Sequence, residues 1–353
     1  MAREIEEEAG LSRPETFPPS SQMSSVDVNS AKTVVSFLGP IASYSHQAVL
    51  QEFPQEKWDL RPASTITDVF EKVQSRQASI GVVPFENSSN GCVVETFDNF
   101  ADRDRRYRDI VVQDEIYIDV NHCLLGRRLG SDATVVGTAD RSRAEKSSDV
   151  SSESGFGYIK QLYSHPQALG QCRRFISTDL GHAETLPVSS TSRAAEIVAQ
   201  SGDVALAAIS SKLAASIYGL DVLAETIQDR RDNTTRFLVI GNLQNPTRFT
   251  PAVTRSLSPA AESSSGTKSL VSFTVPHDSP GALAGVLCCF DEQKLNLTSI
   301  NTRPSLLAPF QYVFFVEFEG HRFDDDGRVE RALEKIDCVA KESRWLGSWE
   351  KYR

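Results

Sequence analysis

Three short segments of this sequence gather hydroxyls, amides and backbone N–H groups in a way that suits a small anion. They are Ile41-Ala42-Ser43-Tyr44-Ser45, Glu86-Asn87-Ser88-Ser89-Asn90-Gly91 and Ser189-Ser190-Thr191-Ser192. Each reads as a loop running into a helix, whose first-turn N–H groups and dipole favour a carboxylate or phosphate. Serine and threonine also cap ordinary helices, so any one of these loops taken singly is weak evidence. A fourth segment, Asp232-Asn233-Thr234-Thr235-Arg236-Phe237, sets an arginine at the start of a buried-looking strand over 237–240. A guanidinium there needs a partner, either a bidentate ligand carboxylate or an internal Asp or Glu, and the residues leave both open. His165, in Tyr163-Ser164-His165-Pro166-Gln167, is either a ligand or acid, or the hydrogen-bonded loop element that a histidine before proline more often is. No GxGxxG, no Walker loop and no Ser/His/Asp order around a strained elbow is present, so any chemistry proceeds without those devices.

The elements that must position these segments follow from patterning. Strands are expected over 33–39, 79–84, 110–125, 204–209 and 236–241, and helices over 44–53, 65–74, 167–175 and 192–200. That alternation marks an α/β sheet. Residues 1–31, rich in Glu, Ser and Pro, have the composition of a disordered acidic tail. A polar, serine-rich insertion at about 127–156 interrupts the first domain (32–241), and a linker over 242–268 separates it from a second (269–353). The second domain reads strand 270–275, helix 280–292, strands 295–302 and 311–318, helix 328–340, strand 345–352. The order βαββαβ is that of an α+β ferredoxin-like sandwich.

Bulk properties narrow the classes. A chain of 353 residues suggests two or three folding units. A formal charge of −10 argues against nucleic acid or anionic lipid as the main partner. The six cysteines show no CxxC and no metal-ligand spacing, which fits reduced structural thiols. The acidic start lacks the features of a secretory signal, no apolar run of roughly 18 residues suggests a membrane span, and the expected location is the cytoplasm.

Taken in order, FLGPIASYSHQA, GVVPFENSSNG, YSHPQALGQC, SSTSRAA and NTTRFLVIG resemble the successive signature segments of prephenate dehydratases. SPGALAGVL, NLTSINTRPS and QYVFFVEFEGH resemble the ACT regulatory domain attached to that family. The resemblance implies a two-lobed catalytic domain similar to type II periplasmic binding proteins, with a hinge near Gln113 and Ser210. It implies conversion of prephenate to phenylpyruvate, with loss of carbon dioxide and water, and no metal or organic cofactor. It puts Thr235 beside the leaving hydroxyl, in hydrogen bonding or relay. Arg236, with Ser43, Tyr44, Ser45, Asn87, Ser88, Ser89, Ser189 and Thr191, would hold the two carboxylates. His165, Gln167, Asn233 and Phe237 would join them in the site, and Glu86 would serve as proton source if burial raised its pKa.

Arogenate dehydratase, which acts on the amino analogue, and a non-catalytic module binding a small anion or amino acid are the alternatives. In the second domain the resemblance implies an L-phenylalanine site between two subunits. Gly281, Ala282 and Leu283 would form one wall, and Asn296, Leu297, Thr302, Arg303 and Pro304 the facing one, in a homodimer or dimer of dimers. The family's Glu-Ser-Arg-Pro is replaced by Asn301-Thr302-Arg303-Pro304, and its first-loop glycine by Ala42.

Overall fold

The computed structural model describes residues 32–128, 155–245 and 266–352, so the expected N-terminal tail, most of the 127–156 insertion and most of the linker lie outside the described residues. None of the described helices is long and apolar enough to cross a membrane. The chain opens with β1 (Thr33–Leu38), α1 (Tyr44–Glu52), β2 (Trp58–Ala63), α2 (Ile66–Gln74) and β3 (Ile80–Asn87). Helix α2 shows why these elements form. Thr65 and Asp68 close a capping box at its start, and Ile66, Val69, Phe70 and Val73 repeat at helical spacing to make its buried stripe. A short β4 (Gly91–Cys92), α3 (Val94–Ala101) and β5 (Ile110–Asp119) complete the first half of lobe one.

Lobe two follows as β6 (Cys123–Gly126), β7 (Gln161–Ser164), α4 (Pro166–Gln171), α5 (Arg173–Asp179), β8 (Glu184–Pro187), α6 (Thr191–Ser201), β9 (Leu206–Ser210), α7 (Lys212–Tyr218) and β10 (Asp221–Ala224). It is a 5-stranded sheet ordered β10-β6-β9-β7-β8. The chain then returns to lobe one as β11 (Thr234–Asn242), which inserts antiparallel between β5 and β3. The crossings between the sheets therefore fall at 120–122 and 225–233. Gln113 lies inside β5 and Ser210 ends β9, so the hinge expected near those two residues is displaced. The apolar run over 110–125 reads as one strand because β5 and β6 keep the same patterning although they belong to different sheets. The crossings are tied together: the His122 N–H donates to Gln228 Oε1 at 3.0 Å, and Gln228 Nε2 donates to Asn121 Oδ1 at 2.9 Å.

The C-terminal domain adopts the expected order as β12 (Thr267–Thr274), α8 (Ala282–Glu292), β13 (Leu297–Pro304), β14 (Tyr312–Glu319), α9 (Arg328–Val339) and β15 (Glu342–Glu350). It does not stand apart. Gly347 on β15 pairs with Val112 on β5, merging both domains into a 10-stranded sheet. Gly347 has φ +137°, and a Cβ there would lie 2.2 Å from the Val112 carbonyl oxygen, so glycine is what permits the approach. Leu270, Val313, Phe315 and Leu346 pack in one core with Phe85, Phe97, Phe100 and Val112 of lobe one. The edge-on contact of Phe97 with Phe315, centroids 5.2 Å apart, adds about 0.5–1.5 kcal/mol beyond area burial.

Candidate active site

Between the two lobes lies a cleft of about 780 Å³, within the range of small-ligand sites. Two substantial helices start on it. Ser43 caps α1, its Oγ accepting from the His46 N–H at 3.2 Å, and Ser190 caps α6, its Oγ accepting from the Arg193 N–H at 3.0 Å. His165 caps the shorter α4 through Nδ1, which accepts from the Gln167 N–H at 3.2 Å. Ser43, Tyr44, Ser45, His165, Gln167, Ser189 and Thr191 all line the cleft. Ala42 sits at φ +69°, a conformation that costs a residue with a Cβ about 1–2 kcal/mol and that glycine adopts freely. The Gly-to-Ala departure thus keeps the backbone path at an energetic cost.

The floor is built by β3 and β11. Their register sets Thr235 opposite Asn87 and Arg236 opposite Glu86, so the first pair shares one face of the sheet and the second pair the other. Asn87, Thr235 and Phe237 line the cleft. The Asn87 side-chain oxygen accepts from the N–H groups of Ser89 and Asn90, at 3.0 and 3.1 Å, which fixes the amide orientation. Its Nδ2 then donates to Thr235 Oγ1 at 2.9 Å and to Asn233 Oδ1 at 2.8 Å. With one lone pair engaged this way, the Thr235 hydroxyl keeps its proton to donate into the cleft.

The opposite face overturns several expectations. Arg236 is buried and turned away from the cleft, with Glu115 Oε2 2.8 Å from Nη2, a short contact from the same nitrogen to Glu317, and Glu86 Oε1 3.5 Å from Nη1. Of the two readings open for this arginine, the internal ion pair is the one realised. Its guanidinium lies 5.2 Å from the Phe85 ring centroid. Glu86 shares that face, so it is not placed to protonate anything in the cleft. Ser88 and Ser89 also fall outside the cleft lining. The segment 86–91 is a turn joining β3 to β4 rather than a loop entering a helix, and Ser88 Oγ is taken up by the Thr234 N–H at 3.0 Å and the Asp232 carbonyl at 3.2 Å. Asn233 is buried behind Asn87 and supports it without reaching the cleft itself.

Other cleft residues lie outside the sequence-based expectation. Arg193, in the first turn of α6, and Glu196, 2.7 Å from it, are the cation and the carboxylate among the described cleft residues. His122, at the first crossing, approaches Tyr44 Oη at 3.0 Å through Nδ1 and Gln171 Oε1 at 2.8 Å through Nε2, linking the two lobes. Burial lowers its pKa, opposed by the bond to Gln171, so the ring is neutral near pH 7. Burial pushes the Tyr44 phenol well above its ordinary value. The signal for Arg193 lies in its position, three residues beyond the cap of a helix already assigned to an anion. His122 carries no such signal, because nothing in the patterning marks the break between β5 and β6.

The family profile described as prephenate dehydratase matches residues 35–245, the span that builds both lobes and the cleft. The chain belongs to the prephenate dehydratase family. It is 34% identical to a bifunctional chorismate mutase/prephenate dehydratase of Aquifex aeolicus over 91% of its own length and 74% of the relative's. A prephenate dehydratase of Methanocaldococcus jannaschii is 32% identical over 80% of this chain and 87% of the relative. The crystal structure of the Arthrobacter aurescens prephenate dehydratase in complex with L-Phe superposes with a TM-score of 0.70 at 27% identity, covering 91% of this chain and 90% of that one. A prephenate dehydratase is a hydro-lyase of phenylalanine biosynthesis. The Arthrobacter superposition extends over the C-terminal domain as well as the lobes, so both domains are shared.

Proposed function

We propose that the cleft converts prephenate to phenylpyruvate, with Thr235 as the residue that meets the departing ring hydroxyl. The ring carboxylate leaves as carbon dioxide, its bonding electrons enter the ring, the carbon–oxygen bond to the hydroxyl breaks, and the oxygen takes a proton to leave as water. Aromatisation drives the step, so the protein's tasks are to bind a dianion, orient it and assist the leaving oxygen. The observation that carries this reading is the Asn87–Thr235 pair, which holds a hydroxyl with its proton free on the cleft floor. Arg193 and the first turns of α1 and α6 suit the two carboxylates. Glu196 favours a second reading, arogenate, since a carboxylate beside Arg193 would receive that substrate's ammonium. Assaying the purified protein for phenylpyruvate from prephenate, alongside phenylalanine from arogenate, separates the two. Turnover of neither would refute both.

L-phenylalanine is proposed as the effector, acting at the C-terminal domain. Gly281 occupies an αL position, φ +82°, at the start of α8, followed by Ala282 and Leu283. Strand β13 is an outer strand of the 10-stranded sheet and presents Leu297 and Ile300 to solvent, an edge suited to a second copy of the chain. Asn296, Leu297, Thr302 and Pro304 remain candidates for the effector wall. Arg303 is instead engaged by lobe one, its Nε and Nη2 donating to Asp98 at 2.9 and 3.0 Å.

A further inference from the structure

The strand that carries Thr235 is held from behind by the other domain. Glu317 is the sixth residue of β14, inside the run Tyr-Val-Phe-Phe-Val-Glu-Phe-Glu, and is 1% exposed. A carboxylate so placed requires partners, and it has them on three strands. Its Oε2 is bound by Arg236 of β11. Its Oε1 accepts from Thr298 Oγ1 on β13 at 2.6 Å and lies 3.4 Å from Lys268 Nζ on β12. Lys268 also reaches Glu115 of β5 at 3.5 Å, and Glu115 Oε1 accepts from the Tyr352 N–H at 3.0 Å. Two cations and two carboxylates, all nearly without exposure, thus sit between the domains, with Glu86 at their rim.

Resting on the assignment of Thr235 to the leaving hydroxyl, we propose that Glu317 is a positioning residue for the dehydration: by fixing Arg236 it sets the register and twist of β11 and so the aim of the adjacent Thr235 hydroxyl. Neither the Glu317 nor the Arg236 side chain lines the cleft. Their effect passes along one peptide unit, from a side chain pinned behind the sheet to its neighbour in front. The C-terminal domain is then a structural part of the catalytic machinery as well as a place for an effector. Thr298 makes the chain longer by one link, since it joins Glu317 to β13.

The test uses the full chain, with prephenate turnover, KM and thermal midpoint measured for each variant. Thr235→Ala is run first. If it retains parent turnover, the assignment of Thr235 fails whatever the Glu317 variants do. With that assignment standing, Glu317→Gln should lower kcat by about 10- to 100-fold while KM changes less than about twofold, because misaim and not lost substrate contact is the defect. Arg236→Lys should show the same split. The double variant should lose no more kcat than the worse single one, since both cut the same connection. Glu342→Gln, which removes an exposed ion pair to Arg105 at the same domain seam, should leave kcat unchanged. Should Glu317→Gln fail to fold, Thr298→Val serves: a loss of about two- to fivefold in kcat at constant KM is expected from one hydrogen bond. Parent kcat in a folded Glu317→Gln or, where that variant does not fold, in Thr298→Val overturns the proposal. So do losses that multiply in the double variant, or an equal loss in Glu342→Gln.

Discussion

Strand β11 separates two environments that could hardly differ more. In front of it the cleft is open, hydroxyl-rich and nearly free of formal charge, with Arg193 and Glu196 on its far wall. Behind it Arg236, Lys268, Glu115 and Glu317 are packed together and almost fully buried. The same tripeptide, Thr235-Arg236-Phe237, feeds both, because successive strand residues point to opposite faces. Most of the charge therefore lies where the two domains meet, and the cleft offers Arg193, hydrogen-bonding groups and helix ends.

The largest expected effect lies in front. Thr235→Ala should lower kcat by about 10²-fold or more, as loss of a positioned hydrogen-bond donor to a departing oxygen does, with the fold intact, and Thr235→Ser should retain more because it keeps the hydroxyl. Steady-state rates on prephenate with circular dichroism as a fold check decide this. A rate equal to the parent's would remove the chemical distinction between the faces.

Substitution of the two arginines sharpens the contrast further. Arg193→Gln should raise KM by about 10- to 100-fold with kcat less affected, as expected for one lost charge-assisted bond to a carboxylate. Arg236→Lys should do the converse. Finding that Arg236→Lys alone raises KM would return that residue to the cleft and contradict the geometry.

A smaller effect belongs to the C-terminal domain. Replacing Gly281 by leucine puts a side chain at φ +82°, where space is open but the backbone conformation is unfavourable. Phenylalanine inhibition should weaken by about tenfold, a typical coupling, with basal turnover retained. Inhibition curves with unchanged midpoint would locate the effector elsewhere.

The smallest effect separates the two sides by pH. His122 on the cleft side has its folded pKa lowered by burial, so the unfolded chain takes up a proton first as pH falls. Its contribution is present above the ordinary histidine value of about 6.5 and is lost on acidification below it. His46, also lowered by burial, acts in the same sense. Behind the strand, burial raises the Glu317 pKa, but Arg236 and Lys268 more than offset this and hold it below the usual carboxylate range. Its contribution is therefore kept down to about pH 4 and lost beneath that. The thermal midpoint should fall gently below about pH 6.5 and more steeply below about pH 4, and His122→Gln should flatten only the upper limb. A midpoint flat from pH 7 to 5 in the parent would contradict the first half.

Much of this is legible in the sequence where the chemistry is local. Ser43 and Ser190 cap the helices expected of them, and the βαββαβ order of the second domain follows from turn residues and apolar periodicity alone. The place of Arg236 is not legible, because which face of β11 meets the cleft depends on its register with β3 and on the irregularity between Arg236 and Phe237. Glu115 and Glu317 stand out as acids inside strongly apolar strands, which need buried cations, but nothing in the chain pairs residues 115, 236, 268 and 317 before it folds. The crossing at 120–122 escapes a reading of the sequence because the strand-like run over 110–125 carries no break in its pattern where it leaves one sheet for the other.

Gly347 has a mechanical consequence. Because its missing side chain lets β15 pair with β5 at Val112, the C-terminal domain is joined to lobe one through the backbone, and the strand it reaches lies directly beside β11. A domain fastened in that way cannot swing like a door without tearing the pairing; it can shear or add torsion, and torsion in a sheet passes from strand to strand. A single bulky residue at 347 would break that backbone link and leave the two domains joined through side chains, the shared apolar core and the buried ion cluster.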